Sequence, residues 1–347
     1  MNQIEFGLGM FGDLSFDRHT NQAQPPKERL AQMLEQIKLA DELGLDALVI
    51  GEHHRPDYAV ASPEIVLAAM ASVTKHIKLS SGVTVLSSSD PVKVYQDFAT
   101  LDLLSDGRAE ICAGRGSFIE SFPLFGYDLK DYHALFEEKL LLLLKLNAEE
   151  TVTWQGNFRA SLHEQTIYPR PEKPLPIWVA VGGTPESVYR AAKLGLPIIF
   201  AIIGGMPQQF KPLIDFYKQE YENHGHDMGS MQIGVHSHTY LTASREDLLA
   251  EYFPLYAAQM DRVGKSRGWS PYTQAQFEGG ISPEGALFMG EPNQVVDKIL
   301  SIIEMFGLTR YVAHIDVGGP AHKDLMKAIE LFGTKVVPEI RKSLKQQ

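Results

Sequence analysis

The feature that most constrains this chain is an alternation, sustained almost from end to end, of short apolar segments with longer segments of helical period. Residues 4–10 (IEFGLGM) read as a buried strand, and 27–43 then place Leu30, Met33, Leu34, Ile37 and Ala40 on one helix face before Gly44. DALVIG at 46–51 is a second strand, and Ser62-Pro63-Glu64 opens a helix through 73, with serine as cap and proline in the first turn. Strand 77–86, helix 91–104, strand 108–113 and helix 132–146 complete four units. Strands at 177–181, 197–202, 232–241 and 310–317 follow, with helices at 185–194, 207–224, 245–263, 292–306 and 323–341. About eight strands, apolar on both sides of the pleat and joined by helical crossovers, predict an α/β fold, a closed (β/α)8 TIM barrel with insertions. An open flavodoxin-like sheet uses the same alternation and stays as the alternative.

Two stretches break the rhythm within what reads as one domain over 1–347. Residues 151–176 resemble a β-hairpin, with Gly156-Asn157 as its turn, and a proline-rich connector. Residues 264–290 mix glycine, serine, proline and aromatics and read as a long loop, a candidate lid over the barrel mouth. Lys plus Arg total 32 against 43 Asp plus Glu, and a net charge of −11 argues against a nucleic-acid partner. Cys112 is the only cysteine, which excludes an internal disulfide or a multi-cysteine metal site and suits a cytoplasmic protein. The opening residues lack the pattern of a secretion signal, and no uncharged run approaches the ~18 residues of a membrane span, so no membrane association is expected.

In a parallel barrel, chemistry is expected where the strands end. Glu52-His53-His54 follows the second strand and places a carboxylate beside two imidazoles able to exchange protons near neutrality. Hydrogen-bonded structural histidines are the simpler reading of that tripeptide. His236 and His238, two apart on a strand, share a face, and with His53 they could hold a cation. Glu52 or Asp316 would then complete a metal-dependent hydrolase site. Val181-Gly182-Gly183-Thr184, leading into a helix with Ser187, has the make-up of an anion site, and Arg115 between Gly114 and Gly116, with Ser117 after it, strengthens that reading. The turn Gly318-Gly319-Pro320 competes for the same role.

Five pieces of the text in one order resemble the bacterial luciferase-like flavin monooxygenases. They are GEHH at 51–54, SGVTVLSSSDPVKVYQDFATLD with LSDGR after it, GRGSF, AAKLGLP at 191–197, and FGLTR before the last strand. The resemblance implies an oxidoreductase that takes reduced FMN from a separate flavin reductase and lets it react with O2. The resulting C4a-hydroperoxyflavin would oxidise a small substrate such as an aldehyde or alkane. It implies that His53 handles a proton near the reactive flavin face, that Glu52 organises the pocket and that His54 supports it. It further implies a non-proline cis bond at Gly82-Val83 beneath the ring, with Arg115, Gly183, Thr184 and Ser187 on the phosphate. The sequence departs from the family at His133, where an arginine often grips the phosphate, and at Gly114, where the luciferase α subunit carries a reactive cysteine two positions after this chain's Cys112. F420-dependent hydride transfer and a silent flavin-binding protein share these motifs. A homodimer through the alanine-rich helix 63–73 is expected. Phe11, Phe118, Tyr272 and Phe277 would give the pocket apolar walls.

Overall fold

The computed structural model describes residues 4–17, 20–116, 118–265 and 267–346. Eight parallel strands close on themselves: β1 (Glu5–Met10), β2 (Ala47–Ile50), β3 (Lys78–Ser81), β4 (Ala109–Gly114), β5 (Ile177–Val181), β6 (Ile198–Ala201), β7 (Ile233–Leu241) and β8 (Arg310–His314), with β8 pairing back onto β1. The closure removes the open-sheet alternative. The crossovers are α1 (Pro26–Glu42), α2 (Pro63–Ala71), α3 (Pro91–Leu104), α4 (Tyr132–Ala148), α5 (Pro185–Lys193), α6 (Lys211–Asn223), α7 (Phe253–Lys265), α8 (Gln274–Ile281), α9 (Pro292–Phe306), α10 (His322–Leu331) and α11 (Val337–Lys345). Most of the apolar burial lies between strands and helices. A smaller cluster of Val49, Cys112, Trp178, Ile199 and Val312 fills the barrel interior.

The two ends of the barrel differ in chemistry. At the start of the strands, Arg310 donates to Glu110 at 2.6 and 3.0 Å and through Nε to Glu5 at 2.8 Å, and it lies 4.2 Å over the Trp178 ring. This ion-paired layer shuts the lower end, so that side chains entering from the upper end can surround a cavity without opening a pore. Register then sets the upper rim: His314 pairs with Gly9 on one side and with His238 on the other. Gly9 leaves the space that the His236 ring occupies, for a Cβ there would lie 2.6 Å from Nε2 of that ring.

Residues 151–176 do form a hairpin, Thr151–Trp154 against Leu162–Thr166, with Gly156 and Asn157 inside a longer loop rather than a tight turn. Strand 77–86 is broken at Gly82, because the peptide to Val83 is cis and only Thr84–Val85 resumes pairing with β4. The expectation of an irregular loop over 264–290 needs correction. This stretch contains α8 and a short strand, Phe288–Gly290, beside β7. Thr273 and Gln276 cap α8 reciprocally, and buried Lys298 donates to the Ser282 and Leu287 carbonyls at 2.7 and 2.6 Å. Phe277 belongs to the core, packed on Phe253 and Tyr256, and not to a pocket wall.

Candidate active site

The β2 end is organised by Glu52. Its Oε2 accepts from the Val85 amide at 2.8 Å and its Oε1 meets His54 Nε2 at 2.9 Å. Both oxygens are engaged by the protein, and the first holds the segment that follows the cis Gly82-Val83 peptide. Glycine is required at 82, where a Cβ would lie 1.9 Å from Val49 Cγ1. This bend, Val85 and Gly114 line a cavity of about 360 Å³, together with Ala180, Val181 and Gly182 at the end of the adjacent strand β5.

His53 faces the same cavity but has no carboxylate partner among the described residues. Its ring stacks on Tyr58 at 4.3 Å, with Phe11 and Phe118 at 4.7 and 5.1 Å. Burial, then the charges of His314 and Arg55, push its pKa down to about 3, so the ring is neutral at physiological pH. Burial and the proximity of His314 likewise lower His236 and His238 well below the ordinary imidazole range. His238 Nδ1 meets the Tyr256 hydroxyl at 2.9 Å, whereas Nε2 of His53 and of His236 is buried without a hydrogen-bond partner among the described residues. A buried group in that state costs about 1–3 kcal/mol, and each calls for a partner.

Sequence reasoning named Asp316 but passed over His314, which stands two residues before it. Asp316 accepts from the Phe11 and Gly12 amides at 3.1 and 2.9 Å and from Arg29 at 2.8 Å, and His314 Nε2 lies 3.2 Å from it. Burial opposes the charge on Asp316, but His314, Arg29 and the Phe11 amide outweigh it and keep the carboxyl below the usual range. Burial, together with Asp316, drives the neighbouring Asp13 well above that range. Among the described residues, Asp13, His314 and Asp316 form the one group of three ligand-type side chains close enough to share a cation. It is already neutralised by Arg29 and backbone amides. The set His53, His236 and His238 expected for a metal-dependent hydrolase does not converge in this way.

The residues expected to form an anion site do come together. Arg115 donates to Ser187 Oγ at 3.0 Å, to Thr184 Oγ1 at 3.4 Å and to His133 Nδ1 at 2.7 Å, and the two hydroxyls meet at 2.8 Å. With Nδ1 accepting from a guanidinium, the neutral ring of His133 keeps its hydrogen on Nε2, available to a ligand. Tyr132 supports the cluster, its ring 4.9 Å from the guanidinium and its hydroxyl donating to the Gly116 carbonyl at 2.9 Å. Gly183 has φ of 124° and leads into the N-terminus of α5, the positive end of that helix's dipole, which suits an anion. The rival turn is packed shut, since a Cβ on Gly318 or Gly319 would meet backbone at 2.7 or 2.5 Å. Ser117 lies outside the described residues. Cys112 lines the cavity floor, where burial pushes its thiol up to about 12, far from a reactive thiolate.

A family model described as luciferase-like monooxygenase matches residues 5–310. The chain belongs to the luciferase-like monooxygenase family. The structure of monooxygenase RslO1 from Streptomyces bottropensis superposes with a TM-score of 0.82 at 23% identity, covering 97% of this chain and 99% of the other. A type II Baeyer-Villiger monooxygenase, the oxygenating constituent of 3,6-diketocamphane monooxygenase from the CAM plasmid of Pseudomonas putida in complex with FMN, gives 0.72 at 19% identity over 98% and 99%. An F420-dependent glucose-6-phosphate dehydrogenase of Kineococcus radiotolerans is 31% identical over 203 residues, 55% of this chain and 58% of that one. Family membership supports an oxidoreductase, and the barrel seen here is the fold its structural relatives share.

Proposed function

We propose that this chain is an FMN-dependent monooxygenase that uses reduced FMN and O2 to oxidise a small organic substrate. The observation that carries the reading is the convergence of Arg115, His133, Thr184 and Ser187 at the edge of a cavity whose lining also contains the cis Gly82-Val83 peptide. These residues fit a flavin with a terminal phosphate: a guanidinium, an imidazole N–H, two hydroxyls and a helix start suit a monoester dianion. Reduced flavin, when bound, supplies the two electrons with which one oxygen atom of O2 enters the substrate and the other leaves as water.

The chain's own part is to seat the ring, exclude water and handle protons. Val83, Val85, Ala180 and Val181 provide an apolar bed for the ring. Glu52 fixes that bed through the Val85 amide and is a positioning residue. His53, neutral and unpartnered at Nε2, is placed to give or accept a hydrogen bond at the reacting face. The Kineococcus relative favours a second reading, hydride transfer from F420 in the same mouth. Reduced flavin would come from a separate reductase in the cytoplasm. Exposed Ile65 on α2 and Leu104 on α3, adjacent helices, offer the face for a homodimer.

Titration of the purified chain with FMN, reduced FMN and F420 tests the reading. One equivalent of FMN or its reduced form should bind, more tightly than F420. Preference for F420 would replace the monooxygenase with a hydride-transfer enzyme, and no affinity for any of the three would remove both.

A further inference from the structure

The mouth cavity opens into a second, larger one of about 1120 Å³, and the two share Phe11, Phe118, Ile203, His238 and His314. Between them lies a shell of imidazoles from three strand ends. His314 stands 5.1 Å from His236 and 5.2 Å from His238, and Phe11 lies against His53, His236 and His314 at 4.7, 5.7 and 4.0 Å. Two of these rings, those of His53 and His236, carry a buried nitrogen without a partner among the described residues, and His314 Nε2 has Asp316 at 3.2 Å. An aliphatic chain settling there would cover the nitrogens and satisfy none of them. A neutral imidazole presents one donor and one acceptor, which together match a hydroxyl or a carbonyl. Asp316, 3.2 Å from His314, opposes a second anion at the shell. The walls beyond are rich in aromatic rings, with Tyr58, Phe118, Tyr256, Trp269 and Tyr272 around the larger cavity and Arg267 among them. Such walls favour a flat ring system by stacking and edge contacts.

We propose that the imidazole shell is the substrate-recognition site and that it takes an uncharged aromatic or polycyclic compound whose hydroxyl or carbonyl oxygen is held by His236 and His314. The inference rests on the flavin reading, since it places the substrate beside the ring's cavity. It replaces the aliphatic aldehyde or alkane expected from sequence resemblance with an oxygen-bearing ring.

Equilibrium binding of 2-naphthol, naphthalene and 2-naphthoate, measured on the FMN-loaded and the flavin-free chain, tests it, because the three share one ring body and differ only in the polar group. The result expected is at least tenfold tighter binding of 2-naphthol than of either other compound. The double variant His236→Leu/His314→Leu should reduce 2-naphthol to the level of naphthalene, while His236→Gln/His314→Gln, which keeps hydrogen-bonding groups, should retain part of the preference. Equal binding of naphthol and naphthalene by the native chain, or tightest binding of the naphthoate, would overturn the proposal, and neither result depends on a variant folding. Persistence of the full preference in a folded leucine double variant would also overturn it. Absence of FMN binding counts against the flavin reading alone, since the flavin-free ranking still decides the substrate class.

Discussion

At the scale of single residues, environment separates histidines that the sequence presents as equivalent. His53 was legible from the GEHH string, but its stacking on Tyr58 and the want of a partner for its Nε2 among the described residues were not, because both follow from the path of the loop after β2. Its lowered pKa has a consequence for stability. Between about 3 and the ordinary value of 6.5, the unfolded chain binds a proton at His53 that the folded chain does not. Stability from this group is therefore complete above pH 6.5 and declines as pH falls toward 3, with a slope of up to about 1.4 kcal/mol per pH unit. Urea unfolding at pH 7.5, 6.0 and 5.0 should show a shallower acid loss in His53→Gln than in the native chain; parallel profiles would mean the ring titrates normally. Arg115→Ala removes a charged hydrogen-bond donor worth about 1.5–3 kcal/mol, so FMN affinity should fall about 10- to 100-fold, whereas His53→Ala should leave it nearly intact while lowering turnover. Cys112 should resist iodoacetamide in the folded chain and react once the chain is unfolded in urea, as mass spectrometry of the alkylated protein would show.

Elements were read from the sequence where their period was strong and lost where a few residues carried the signal. Helix α9 stands over the residues expected for it, and α3 likewise, each opening on a proline at its first turn. Helix α8 was missed because Gly279 and Gly280 suggest a loop, yet Thr273 with Gln276 is a capping pair visible in the text. The anchoring of this region by Lys298 could not be read, since it joins a side chain on α9 to carbonyls 11 and 16 residues earlier. Lys298→Met should leave those carbonyls unpaired, and hydrogen exchange should quicken across 279–290 while α3 is unaffected. The bend after β3 makes a second demand. Gly82→Ala forces a methyl onto Val49 and should cost about 1–3 kcal/mol in urea unfolding, with Val49→Ala in the same chain restoring part of the loss.

For the whole molecule, strand count and crossovers were enough to infer a barrel, because parallel strands apolar on both faces must be covered on both sides. What the count could not supply is the division of labour between its ends: Arg310, Glu110 and Glu5 close one by ion pairing, and the strand ends of β2, β4, β5, β7 and β8 build the cavity at the other. His314 escaped notice because it lies inside an apolar run, YVAHIDV, and gains meaning only when β8 is set between β1 and β7. His133, which the sequence marks as a departure, joins the cluster of Thr184 and Ser187 through Arg115. The account turns on that end of the barrel seating FMN, and a crystal structure of the chain grown with FMN tests this most directly. The phosphate should lie within hydrogen-bond distance of Arg115, Thr184 and Ser187, with the ring against Gly82-Val83. Density for a cation bound by the imidazoles, or for FMN anywhere but that mouth, would contradict it.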